Sequence, residues 1–431
     1  MKAKINIGRL LACMAVALGV TMTASADVNT PYSMYGYGII GDRATSMQRQ
    51  MGGIGYAMQS GRQINAMNPA SYAAIDSLTF LFDIGADISF LWSKEKAADT
   101  SKGAISDKNI GGGLGYVTMQ FPICKFMGGS AGLIPYSSVG YAFGNDIAHG
   151  AVENQGRGGI NMAYLGVAGT FAGFSIGVNA SYNFGDIVND IYSSPSNTGQ
   201  SLLEHVMQIR DWDIQIGAQY RANFNKYNSM TLGFTYSPKK SMHGKTWVTL
   251  QEMQMESKAD TVGYMKLKGN NYSPNSFGAG VAFRHEKVSR WMVEFDFTLQ
   301  QWSKAKYSAI PEIDRPENNV FSGMNFADRV RYAVGGEWVP KLRGNYGERM
   351  AYRLGAYYCD DYLKINGSRV REIGVACGVG FHTPQDKTLI NLGFEWKNRR
   401  AHPTALITEN YFNITLGVNF NELWFWKRKI K

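Results

Sequence analysis

Cysteine is scarce in this chain, 4 in 431 residues, and one of them, Cys13, falls in an apolar stretch at the start. The other three, Cys124, Cys359 and Cys377, form an odd, sparse set that excludes a disulfide framework. They read as packing residues, buried or facing lipid, with one bridge left open. Beyond residue 26 no run reaches the roughly 20 apolar residues of a helical membrane span. The nearest, 165–180, is cut by Gly169, Thr170, Gly173, Ser175 and Gly177 and reads as a hairpin. Histidines are few and dispersed: His149, His205, His243, His285, His382 and His402 have no partner at metal-ligand spacing. No metal, no cofactor and no enzyme chemistry are expected.

The first residues look like an export signal. Lys2, Lys4 and Arg9 make a basic start, 10–20 is apolar, and Ala24-Ser25-Ala26 is a small-residue cleavage site. The mature chain is expected to begin at Asp27. Cys13 after Leu10-Leu11-Ala12 offers a lipoprotein alternative, but most of the apolar stretch follows it. The formal charge of +10 includes three charges from the leader, leaving +7. The basic residues are scattered without a compact stripe, which argues against nucleic acid. Attraction to anionic headgroups or lipopolysaccharide accounts for them more simply.

Glycine and aromatics are abundant: 49 Gly, 24 Tyr, 22 Phe and 9 Trp against 12 Pro. The dominant pattern is period-two alternation. Trp212, Ile214, Ile216, Ala218, Tyr220, Ala222 and Phe224 alternate with Asp213, Gln215, Gly217, Gln219, Arg221 and Asn223. Similar alternation runs through 174–184, 291–299 and 412–420. Such segments exceed the usual strand of about 5 or 6 residues, and aromatics recur at the ends of the apolar face, as a membrane girdle requires. Upward strands are placed near 78–92, 129–145, 174–190, 230–255, 291–303, 349–360 and 387–398. Downward strands fall near 110–122, 158–171, 208–223, 275–286, 326–340, 368–383 and 410–420. Short connectors alternate with longer ones, as in outer-membrane barrels. The fold expected is all-β: a transmembrane antiparallel β-barrel of about 14 strands with a plug in its lumen.

A lumen this wide cannot be filled by wall side chains alone. Residues 27–77, rich in Gly, Met, Tyr, Gln and Asn and lacking alternation, are the candidate hatch; a periplasmic tail or extra strands are the alternatives. The barrel is then 78–420, and 421–431 a basic, aromatic tail suited to lipid headgroups. Inward-facing charges are expected at Asp83, Asp87, Asp213, Arg221, Glu294, Asp296, Arg329, Arg331, Glu337, Glu395 and Lys397. They would form a polar pathway, hold the plug, or simply line a wet lumen. Pro135 lies within the third strand and has no N–H for the ladder. With Gly140 softening the same strand, it is a candidate defect in the wall. Two short motifs fail on context. Gly36-Tyr37-Gly38-Ile39-Ile40-Gly41 lacks the strand and helix of a dinucleotide site, and Gly173-Phe174-Ser175-Ile176-Gly177 lacks the bend of a nucleophile elbow.

Several motifs resemble the FadL-type transporters of long-chain fatty acids and other hydrophobic compounds. They are Gly52-Gly53-Ile54-Gly55-Tyr56-Ala57, then Asn68-Pro69-Ala70 before the first strand, and Gln301-Trp302-Ser303 closing the ninth. Asp328-Arg329-Val330-Arg331-Tyr332-Ala333-Val334-Gly335 and Tyr352-Arg353-Leu354-Gly355 follow in order. The resemblance implies an outer-membrane location in a Gram-negative bacterium and a hatch containing Gly52, Gly53, Gly55, Ala57, Asn68, Pro69 and Ala70. It implies passive transport of a hydrophobic small molecule, with lateral exit at the third strand near Pro135 and Gly140. Expected partners are membrane lipid, lipopolysaccharide, the apolar ligand, and the barrel-assembly machinery during biogenesis. The alternative function is a scaffold barrel that binds partner proteins of a secretion or assembly system.

Overall fold

The alternating segments pair because lipid offers the backbone no hydrogen-bond partner, so strands that span it must close on one another. The computed structural model describes residues 29–95, 106–147, 150–195, 199–253, 260–267, 271–305, 326–365, 367–383, 388–404 and 407–423. Its wall begins with β1 (Thr79–Glu95), β2 (Ser106–Cys124), β3 (Met127–Ile147), β4 (Gly150–Phe171) and β5 (Phe174–Pro195). It continues with β6 (Gln200–Asn223), β7 (Asn228–Ser237), β8 (Ser276–Glu286), β9 (Arg290–Gln300) and β10 (Arg329–Val339). It ends with β11 (Ala351–Ile365), β12 (Ser368–His382), β13 (Thr388–His402) and β14 (Ile407–Leu423). Each pairs antiparallel with its neighbours, and β14 closes on β1 from Ile407↔Glu95 to Leu423↔Thr79. The result is a closed barrel of 14 strands.

Side chains sort by parity along every strand. On β5, Phe174, Ile176 and Val178 are exposed outward while Ser175, Asn179 and Ser181 are buried inward. Aromatic pairs ring the outer surface, among them Tyr182–Trp212 with centroids 5.0 Å apart and Phe283–Trp291 at 5.5 Å. Among the described residues no helix is long and apolar enough to cross a membrane.

Two expectations change. The strand placed at 230–255 divides: β7 stops at Ser237, and Gly244–Met253 instead pairs with the upper half of β6, from Gly244↔Ile209 to Met253↔Gln200. Pro238, which has no N–H, stands where the ladder ends. Gly244–Met253 also pairs with Asp260–Leu267, making a hairpin that stands above the wall. The alternation of short and long connectors also holds only in part. Strands β3 to β6 run 21 to 24 residues, well beyond the roughly 9 to 11 needed to cross lipid. Little chain therefore remains to join β3 to β4, and the connector between β10 and β11 carries a helical turn, Tyr346–Arg349. The leader, His149 and residues 424–431 of the tail lie outside the described residues, and 421–423 extend β14.

The segment before β1 lies within the ring. It holds single turns of 3-10 helix at Pro31–Met34 and Pro69–Ala74, a two-residue strand Ile39–Ile40 and a helical turn Ser46–Arg49. Most of its residues are buried, including Tyr37, Met51, Ile54, Ala57, Ile64 and Tyr72.

Candidate functional site

The lumen is the candidate site, and its geometry follows from where the N-terminal segment meets inward-facing wall residues. Small wall residues let two backbones approach. A Cβ on Gly335 of β10 would lie 2.2 Å from the carbonyl oxygen of Met51, and one on Gly355 of β11 would lie 2.1 Å from its carbonyl carbon. Similar close approaches set Pro69 against Gly177, Asn68 against Gly217 and Tyr56 against Gly233. Gly52 and Gly53 complete the Met51 contact with φ of 70° and 71°, a region that favours glycine.

Charged wall groups satisfy the segment's exposed amides. Asp296 accepts hydrogen bonds from the N–H of Gly55 (2.7 Å) and Tyr56 (3.1 Å), and Glu294 accepts one from Ala57 (2.7 Å). Arg331 donates to the carbonyls of Gly52 (2.7 Å) and Gly53 (3.2 Å) and lies over the Tyr357 ring. Ion pairs add a second layer: Asp42 with Arg329 at 2.8 Å and Arg331 at 3.4 Å, Arg49 with Asp87 at 2.5 Å, and Arg43 with Asp213 at 3.8 Å. Burial alone would raise the Asp42 carboxyl, but Arg331 and Arg329 outweigh it and hold it well below its ordinary value of 3.8. Asn68 caps the turn Pro69–Ala74 by accepting from the Ala70 N–H (3.0 Å) and donates to the Tyr56 carbonyl (2.6 Å).

Other expected lumenal charges serve the wall itself. Asp83 accepts from Tyr116, whose hydroxyl in turn accepts from the Ser46 N–H, so its link to the segment is indirect. Glu337 bridges Arg290 and Arg353, Glu395 accepts from Tyr357 and Asn413, and Lys397 stacks on Tyr411. Arg221 bonds Asn223 near the lower rim, away from the segment. Sequence reading missed Arg353, which holds Gln50 at 2.8 Å, and Glu409, which holds Thr30 at 2.6 Å. Both sit at inward parity, a signal that was present.

The wall has a seam. β2 and β3 pair only from Val117↔Leu133 to Cys124↔Met127 among the described residues, while β3 pairs with β4 along its whole length. The β3–β4 ladder slips at Pro135/Ser137, and β2 carries Gly111-Gly112-Gly113 opposite, a poor strand sequence. The freed edge of β3 takes the N-terminal segment instead: Ile39↔Ser138, Ile40↔Ser137, the Gly41 N–H to the Tyr136 carbonyl, and the Thr30 N–H to the Gly140 carbonyl. Ser33 also donates to the Gly140 carbonyl and accepts from its N–H. Behind the seam lies an apolar cluster with Ile40, Ile134, Tyr136, Val139, Ile160 and Met162.

Two cavities border the N-terminal segment. One cavity of about 50 Å³ lies near Asp42, Asp213 and Arg329. Another of about 190 Å³ lies at the lower rim. Neither short motif has catalytic geometry: Ser175 donates to Thr170 within the wall, and Gly36 to Gly41 lie against β3 and the rings of Trp302, Phe326 and Tyr362. Among the described residues no metal-binding group of His, Cys, Asp or Glu occurs, and Cys124, Cys359 and Cys377 are unbridged.

Several solved structures share this fold at low sequence identity. A Pseudomonas aeruginosa FadL homologue aligns with a TM-score of 0.61 at 10% identity, covering 89% of this chain and 99% of its own. The P. putida toluene transporter TodX gives 0.58 at 15%, covering 89% and 99%. The Ralstonia pickettii toluene transporter TbuX gives 0.56 at 14%, covering 88% and 98%. No curated protein matches by sequence. The sequence profile of one family, BamG, matches residues 6–431, nearly the whole length, and the chain belongs to that BamG family.

Proposed function

We propose that this chain is a sealed outer-membrane barrel that works as a scaffold, holding partner proteins of a secretion or assembly system. The filled lumen carries the reading. Residues 29–77 occupy it from the upper rim to the lower, seated on wall glycines and tied by ion pairs. The larger cavity, about 190 Å³, is below the roughly 300–1,000 Å³ of ordinary ligand pockets. In this reading Gly52, Gly53, Gly55, Ala57, Asn68, Pro69 and Ala70 belong to a standing seal, and 1–26 is the leader that exports the chain. The test is mass spectrometry on protein extracted gently from its own outer membrane. A stoichiometric protein partner without an apolar ligand is expected; an apolar small molecule at near-stoichiometric amount, with no partner, would contradict it.

The seam favours a second reading, passive transport of long-chain fatty acids or similar compounds with lateral exit near Pro135 and Gly140. An apolar chain leaving through an apolar-lined break would stay out of water. It requires the segment at Ile39–Ile40 to leave the β3 edge. A disulfide between Ile39→Cys and Ser138→Cys would then stop uptake of a labelled fatty acid and reduction would restore it; the scaffold reading expects no change.

A further inference from the structure

The larger cavity lies at the lower rim, the end with the short β4–β5 turn, expected to face the periplasm. The N-terminal segment walls it at Met47 and at Met58 to Gln63, and the lower ends of β8, β9, β10, β12, β13 and β14 with the β10–β11 connector complete it. Four arginines line it, Arg62, Arg284, Arg290 and Arg349, against one carboxylate, Glu337. That carboxylate is already shared, 3.1 Å from Arg290 and 2.9 Å from buried Arg353. Arg284 is held by Glu286 at 2.6 Å and by the Gln59 carbonyl at 3.3 Å. The Nε atoms of Arg284 and Arg290 are nevertheless buried with no hydrogen-bond acceptor. A buried guanidinium edge left unmatched is costly, and guanidinium groups match carboxylates in a fork geometry that a point charge does not. A cavity of about 190 Å³ is well above the roughly 10–15 Å³ that one water needs, and so has room for one or two carboxylate groups.

We propose that this cavity is a docking site for an acidic peptide segment of a periplasmic partner, whose carboxylates pair with Arg284 and Arg290. The peptide is preferred to a lipid headgroup because the cavity opens inside the ring of strands, where the wall separates it from the bilayer. The inference rests on the scaffold reading and names the chemistry of its partner. Attraction of this kind weakens as salt rises.

The test is fluorescence polarisation of a labelled tetraglutamate peptide with the full chain folded in a neutral detergent. Binding is expected at low salt, with inorganic phosphate competing and a tetralysine peptide failing to bind. Arg284→Gln and Arg290→Gln should each weaken it about tenfold, the loss of one charge-assisted pair. Arg343→Gln, which removes a charge from the same rim outside the cavity, should leave it unchanged. Heat-dependent gel mobility shows that each variant is folded. Equal binding by the Arg284→Gln/Arg290→Gln protein would overturn the proposal, as would phosphate binding without peptide binding. If the peptide fails while a stoichiometric partner still co-purifies, the docking site is wrong and the scaffold reading stands. If both are absent, the scaffold reading falls too.

Discussion

At the scale of residues, the contact between the N-terminal segment and the wall turns on a few shared charges. Asp42 answers both Arg329 and Arg331, so Asp42→Asn takes the counter-charge from Arg331 and leaves Arg329 with Asp361 alone, at 3.8 Å. Breaking a buried pair in this way costs about 3–5 kcal/mol, and the half-buried Asp42 belongs near the lower figure. A urea melt should show the N-terminal segment releasing earlier, with the barrel melt unchanged. The sign of the pH dependence follows. Because the folded carboxyl is held below 3.8, its contribution is complete above that value and fades as pH falls beneath it. Segment release should therefore be level from about pH 8 to 5 and rise only below about pH 4. Gly335→Leu tests the close approach. The added side chain would meet the Met51 backbone and unseat the segment at about 1–3 kcal/mol, read as faster protease cleavage within 45–60 in a still-folded barrel.

Elements show where sequence was enough. Alternation fixed the side on which Asp87, Asp213, Glu294, Asp296, Arg329 and Arg331 stand, because parity in a strand leaves no choice. It could not name their partners, since the segment they meet has no period of its own. Arg221 and Glu337 share the same parity and do not touch the segment, so inwardness alone did not separate plug contacts from wall contacts. Pro135 was visible as a ladder defect because its missing N–H is a property of the residue. The glycine run opposite, on β2, carries the same information and went unused. The break after Ser237 was hidden because 244–253 also reads as extended chain, and only pairing with β6 reveals its place. The seam predicts faster amide exchange on the free edge of β2, 110–116, than on β5 at the same height, where both edges are paired. Equal protection on both strands would argue that the edge is closed.

Seen whole, the molecule is a closed 14-strand barrel with residues of its N-terminal segment held against the inward face of the wall. The same barrel that gives structural neighbours at TM-scores of 0.56 to 0.61 carries here a lumen in which charged wall residues bind a peptide segment of their own chain. A wide barrel without its filling leaves an aqueous path, so the proposed reading assigns sealing to residues 29–77 and not to the wall. The central claim is tested most directly by planar-bilayer conductance of the full chain beside a variant lacking 27–77, both inserted and folded. The full chain should stay silent at modest voltage and the shortened one should conduct steadily. Steady conductance from the full chain, or silence from the shortened one, would contradict the sealed barrel.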